Sequence, residues 1–331
     1  WGPARAYPLL LGTTAAGFAH AAVSTARPVA LGNFAALEAQ VLWGILGESD
    51  YFDTDPDNDR RLLSGLILSL RPYALPGFTF GAASLVHSDL QSFSAGDLAN
   101  FAQFPVEEAG GNVEGNGLGA LFADWAIPGS GFRAYGEWAR DDYSLTYRDL
   151  IAEPDHAQAY TLGFEQTAVW GAGLLRLSGE FARISRSEPA IRDGRPYAVF
   201  YTHAGIRQGH THEGQLLGAS IGPGSDAQRV ALDMVDSDGA LWGGWVERVR
   251  WDDDAYVRFK SEEYGREGHD IELTVGLRHL RKSGPLQIAV KGALGFRRNR
   301  GFINLVGPNP PMPWETNLFL ETRLVWVPEQ P

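Results

Sequence analysis

Alternation of apolar and polar residues with period two, sustained over segments of about ten residues, is the feature that most constrains this chain. From Asp270 onward, Ile271, Leu273, Val275 and Leu277 alternate with Glu272, Thr274 and Arg278. Leu286, Ile288, Val290 and Leu294 alternate with Gln287, Lys291 and small residues, and Leu318, Leu320, Leu324 and Trp326 alternate with Asn317, Glu321 and Arg323. Leu121, Ala123 and Trp125 against Phe122 and Asp124, and Leu37, Val41 and Trp43 against Glu38 and Gln40, repeat the pattern. Period two sends alternate side chains to opposite faces of a strand, so each segment has one apolar face and one polar face. A soluble sandwich alternates too, but its strands average about five or six residues. About ten is the length a tilted strand needs to cross a bilayer.

The connections carry a second regularity. Short ones (Pro72–Gly77, Pro128–Gly131, Trp170–Gly173, Asp236–Gly239, Arg281–Pro285) interleave with long ones (Gly47–Arg60, Asp89–Gly117, Asp142–His156, Ser185–Gln228, Asp252–Gly268, Arg297–Glu315). Short turns on one side and long loops on the other are the signature of an up-and-down antiparallel barrel of the bacterial outer membrane. The last strand ends on the short-turn side, which places the C-terminus in the periplasm and the long loops outside. Trp125, Trp170 and Trp326 fall at short-turn ends and Trp43, Trp251 and Trp314 at long-loop ends, as two aromatic girdles would. Twelve strands are clear, fourteen if the segments around Phe200 and Leu216 pair, and the run from Ala19 is a further candidate. The inward face reads as mixed in charge, with Glu38, Asp124, Arg133, Glu137, Arg176 and Glu180 among its members.

Composition narrows the rest. No run of eighteen apolar residues occurs, so no transmembrane helix is available. The absence of Cys excludes disulfides and thiolate metal sites. A net charge of −12 argues against nucleic acid or an anionic membrane surface as the main partner. The chain begins at Trp1 without a basic, apolar leader, and is expected to be one barrel domain, 1–331, from the C-terminal portion of a longer protein.

The stretch Tyr201–Gln215, YTHAGIRQGHTHEGQ, is the chief candidate for chemistry. It lies in the longest interval between clear strands and is expected to be solvent-side. With flanking Tyr197 and Phe200 it combines flat aromatic faces with hydrogen-bonding groups, the combination a sugar needs. Tyr197, Tyr201, His203, Arg207, Gln208, His210, His212 and Glu213 are the expected polysaccharide contacts. His203, His210, His212 and Glu213 also make a conceivable zinc set, but the spacing matches no catalytic signature. Acids at Asp50, Asp53, Asp55, Asp57 and Asp59 suggest a calcium loop, yet an EF-hand register from Asp53 puts Asn58 at the Gly position and Ser64 at the Glu position. The Gly-rich run at Gly110–Gly119 lacks a phosphate-loop Lys. No carboxylate pair or nucleophile stands out, so no catalytic residue, metal or other cofactor is expected.

Two stretches resemble the capsule assembly protein Wzi family: WGPARAYPLLL at Trp1–Leu11, and YTHAGIRQGHTHEGQLLGASIGPGSDAQ at Tyr201–Gln228, with its spaced glycines and Gly-Pro-Gly. The likeness runs from Trp1 to about Trp326; Gln215 stands where the family has Arg. The resemblance implies an eighteen-stranded outer-membrane barrel with a small periplasmic helical bundle, its helices and first strands preceding Trp1. It implies a lectin that holds capsular polysaccharide at the cell surface. The chain is expected to act without turnover, as a monomer, with outer-membrane lipid and lipopolysaccharide as further partners. A channel for small solutes and an outer-membrane hydrolase are the alternatives.

Overall fold

The computed structural model describes residues 1–51, 59–90, 94–102, 115–141, 151, 157–186, 199–203, 206–259, 268–302 and 313–326. Twelve long strands carry the fold: β3 (Ala35–Gly47), β4 (Arg60–Pro72), β5 (Phe78–Asp89), β6 (Asn116–Ala126), β7 (Phe132–Asp141), β8 (Gln158–Trp170), β9 (Gly173–Arg183), β12 (Asp226–Val235), β13 (Leu241–Trp251), β14 (Asp270–Ser283), β15 (Leu286–Arg298) and β16 (Trp314–Trp326). Before them come β1 (Ala19–Ser24) and β2 (Val29–Leu31), which both pair with β3 and form one interrupted margin strand. A two-residue hairpin, β10 (Thr211–His212) with β11 (Gln215–Leu216), stands apart. Each long strand pairs antiparallel with the next, in the order β1, β3 to β9, β12 to β16. This is an up-and-down β-barrel fold, left open between β1 and β16 among the described residues.

Strand length and alternation are as the sequence predicts. Tight turns close one end, as at Trp170 to Gly173, where two residues link paired strands. The convex face is apolar: Leu162, Val230, Val246, Val275, Leu294 and Leu318 are exposed on neighbouring strands. Trp242 belongs to this face and stacks on His279 with ring centroids 3.8 Å apart.

Three expectations change. Trp251 is not in an outer girdle. It pairs with Asp270 on the concave face, its indole donates to Glu272 at 3.1 Å, and Arg297 lies 4.7 Å over its ring. The segments around Phe200 and Leu216 do not form a pair of barrel strands, because that interval folds inward. The concave face is not mixed in charge throughout: beside charged groups such as Arg61, Asp141 and Asp270, its long-loop end carries an apolar zone. The inward positions there include Leu46, Leu63, Leu85, Leu118, Ala139, Ala159, Ala182 and Val249, all buried. A barrel interior this apolar needs something apolar to pack on. The chain supplies it: Tyr7, Leu9, Leu10, Phe200, Tyr201, Leu217, Ala219 and Ile221 fill the space as one core with those strands.

Candidate functional site

Two segments build this filling, and they correspond to the two sequence stretches singled out above. The first, Trp1–Leu11, is held by lumen carboxylates. Glu137 of β7 accepts from the N–H groups of Ala4 at 2.8 Å and Leu9 at 2.9 Å. Glu180 of β9 accepts from Arg5, Ala6 and Tyr7 at 2.9, 3.0 and 2.6 Å, and from the Tyr135 hydroxyl at 2.8 Å. A carboxylate surrounded by N–H donors satisfies its charge and the backbone at once, the condition for burying either. Gly2 sits against this cradle. Its φ is +103°, and a Cβ there would stand 2.3 Å from a Glu137 oxygen, so the WGP stretch requires glycine. Thr161 donates to the Tyr7 carbonyl at 2.9 Å, and the Tyr7 hydroxyl donates to Glu247. Burial, then the Glu247 charge, raises the Tyr7 phenol far above its ordinary range.

The second segment, Phe200–Asp226, lies on the first. The Tyr201 hydroxyl donates to the Leu9 carbonyl at 2.6 Å and accepts from the Ala219 N–H at 2.9 Å. The Tyr201 N–H donates to Asp141. Gly12 donates to the Leu217 carbonyl at 2.6 Å. Gly218 permits the approach, since a Cβ there would fall 2.3 Å from the Tyr201 hydroxyl oxygen and 2.5 Å from the Leu9 carbonyl.

His210 is fully buried and stacks on Tyr201 with centroids 5.3 Å apart. Its Nε2 lies 2.6 Å from the Leu10 carbonyl and its Nδ1 2.9 Å from Nε2 of His87 on β5. A carbonyl only accepts, so His210 carries its proton on Nε2 and His87 donates to the bare Nδ1. With Nδ1 bare, the His210 ring is neutral. Burial, with the Arg61 charge beside it, pushes the His210 imidazole down to about 4. Arg61 donates to the carbonyls of Gly209 and Thr211 at 2.6 and 2.9 Å and pairs with Glu48 at 2.7 Å.

The expected contact residues thus divide. Tyr201, His210 and His212 are buried, and His212 Nδ1 accepts from the Gly47 N–H at 3.0 Å. They hold the filling in place rather than standing on the solvent side, because a polar segment inside a barrel must satisfy its donors and acceptors internally. Gln208, half-buried, donates to the Ser49 carbonyl at 2.7 Å, and His203 accepts from the Ile206 N–H at 3.1 Å. Arg207 and Glu213 are exposed. Beside Gln208, the Tyr51 ring is 74% exposed. Tyr197 and the acids at 53, 55 and 57 lie outside the described residues. Among the described residues, no three His, Asp or Glu side chains converge as ligands for a metal.

Sequence reasoning placed Glu137 and Glu180 on the inward face but missed their role.

Below the filling, toward the short turns, lies a polar cavity of about 480 Å³ lined by Arg5, Tyr7, Glu165, Arg176, Arg229 and Lys291, among others. Ion pairs cross it: Arg133 to Asp124 at 2.8 Å and Glu165 at 3.1 Å, and Asp233 to Arg176 at 2.8 Å and Arg278 at 2.6 Å.

No protein-family model matches the chain, and comparison with curated proteins gives no match either. Among solved structures, the chain is similar to Wzi of Escherichia coli, described as an outer membrane protein involved in group 1 capsule assembly and a carbohydrate-binding β-barrel. The TM-score is 0.67 at 13% identity, over 98% of this chain and 64% of that one. The chain therefore spans less than two thirds of the length of that structure and shares its β-barrel fold.

Proposed function

We propose that this chain is part of an outer-membrane barrel that binds a surface polysaccharide at its long-loop end, without catalysis. The observation that carries the reading is the internal filling of the upper lumen. It closes the route a solute channel would use, and it presents Tyr51, Arg207 and Glu213 on a rigid base at the rim. The exposed apolar convex face supports a bilayer environment, since a soluble sheet rarely leaves so large a contiguous apolar surface open to water. The loop lengths support external long loops and a periplasmic C-terminus. The likeness to a carbohydrate-binding barrel supports the ligand class.

Sugar recognition needs an aromatic face and charged or amide partners in reach. On this reading Tyr51 supplies the face, and Arg207 and Glu213 the hydrogen bonds. Replacing all three by Ala should weaken retention of purified surface polysaccharide by at least about a hundredfold, since each of the two hydrogen bonds to a charged group contributes about 1.5–3 kcal/mol. Barrel folding, read as heat-modifiable gel mobility, should be unchanged. Unaltered retention by the triple variant would remove this rim from the ligand site.

A further inference from the structure

The convex face is not apolar throughout. Following the pairing register across the sheet near the long-loop end, one row reads Tyr160, Arg183, Asp226, Arg250, Ile271, Arg298, Trp314. The next row toward the short turns contains Phe181, Gln228, Arg248, Leu273 and Phe296. Paired residues share a face, and Leu273, Phe296 and Trp314 are exposed on the outside. Four arginines therefore stand together on the outer surface, directly above the apolar band and flanked by Tyr160 and Trp314. Adjacent strands lie about 4.8 Å apart, so Arg183, Arg250 and Arg298 recur at about 10 Å along their row.

Among the described residues, Arg183, Arg248 and Arg250 outnumber the carboxylates they pair with. Asp226 is shared, 2.7 Å from Arg248 and 2.6 Å from Arg250, and Asp253 reaches Arg250 at 3.4 Å. Among the described residues, Arg183 bonds neutral oxygens, the Ser185 hydroxyl at 3.0 Å and the Arg186 carbonyl at 3.1 Å. Such a patch runs against the chain's net charge of −12. It is also one-sided: toward the short turns the same strands present Met234, Trp242, His279, Val290 and Thr322 outward.

We infer that this arginine row is a binding surface for the phosphate groups of an anionic glycolipid in the outer leaflet. The inference rests on the outer-membrane part of the proposed function and is independent of its polysaccharide part. At a barrel surface, the zone immediately above the apolar band meets lipid headgroups. Guanidinium groups engage phosphate oxygens in paired hydrogen bonds, and the low dielectric of that zone strengthens the attraction. Aromatic residues at the ends of the row suit the same depth.

The test is native mass spectrometry of the detergent-purified full-length protein. The probes are a bisphosphorylated, multiply acylated glucosamine disaccharide lipid, the same lipid after phosphatase treatment, phosphatidylglycerol, and inorganic phosphate as competitor. The expected result is at least a tenfold preference for the bisphosphorylated lipid, not displaced by millimolar phosphate. The preference should vanish in the Arg183→Gln/Arg248→Gln/Arg250→Gln protein and persist in part in the corresponding Lys protein. Should the triple variant fail to fold, Arg183→Gln alone, which breaks no carboxylate pair, should still lower the preference severalfold. Equal binding of both disaccharide forms, an unchanged preference in the Gln variants, displacement by free phosphate, or stronger binding of phosphatidylglycerol would each overturn the inference. A protein that ignores glycan yet keeps the lipid preference overturns only the polysaccharide reading.

Discussion

The two halves of the barrel interior are built from the same strands and the same inward positions, yet they are held by different forces. Toward the long loops, Leu46, Leu63, Leu85 and Leu118 pack on Leu9, Leu10 and Tyr201, and the Tyr201 hydroxyl and His210 imidazole are enclosed and hydrogen-bonded. Toward the short turns, Arg176, Arg278 and Arg229 pair with Asp233 and Glu247 around a cavity of about 480 Å³. Apolar burial at about 25 cal/mol per Å² stabilises the first. Ion pairs open to a polar cavity, each contributing about 0–1 kcal/mol, hold the second. The difference shows that a barrel wall does not fix the character of its lumen; the chain laid inside it does.

The largest effect that could break this contrast concerns Glu180. Replacing it with Ala removes the acceptor of three backbone N–H groups and of the Tyr135 hydroxyl where the filling meets the polar cavity. The expected cost is about 3–5 kcal/mol, the range for breaking a buried charged network by removing one partner. Urea titration of the folded gel form should show it, and limited proteolysis should cut within Trp1–Leu11 only in the variant. A change below about 1 kcal/mol would mean that the strap is a loose passenger and the upper lumen as wet as the lower.

A pH effect of similar size should be confined to the upper half. The His210 pKa is lowered to about 4 from an ordinary 6.5. Between those values the unfolded chain binds the proton and the folded one does not, so stability falls as pH falls. The contribution is fully present above about pH 6.5 and lost by about pH 4, on the order of 3 kcal/mol for a shift of that size. Protonating His210 at Nδ1 would also set its N–H against that of His87 Nε2. Thermal unfolding of the native protein and of His210→Asn, compared from pH 7 to pH 4, should show a steep fall only in the former. Parallel curves would place the loss elsewhere.

Much of this architecture was legible in the sequence. Alternation in Asp270–Leu277 fixes which side chains face out, because a one-residue slip would reverse every one of them. Loop lengths announced the two ends. The filling was not legible, because period two sorts residues by face and not by what the face meets: Leu63 and Arg176 both count simply as inward. The burial of Tyr201, His210 and His212 within Tyr201–Gln215 was missed for the same reason. Histidines and glutamines appear polar, and nothing local says that Gly47, Leu10 and His87, far away in sequence, consume their hydrogen bonds. Trp251 was placed by its position at a strand end, when its parity with Asp270 already put it inside.

The smallest expected effect sharpens the comparison from the lower side. Asp233 is almost wholly enclosed, yet it accepts from Arg176 and Arg278, whose side chains are 40% and 32% exposed. Asp233→Asn removes the one carboxylate and leaves two guanidinium groups that reach the polar cavity. Because they can be hydrated there, the uncompensated charge costs little, and the expected loss is under about 1 kcal/mol. Repulsion between the two cations should then be screened by salt, so the loss should shrink between about 0.05 M and 1 M as the Debye length falls to about 3 Å. Urea midpoints of wild type and variant at both salt concentrations measure it. A loss above about 3 kcal/mol, insensitive to salt, is the behaviour of a dry interior. It would show that Asp233 belongs with Glu180, and that the lumen is one enclosed core from end to end.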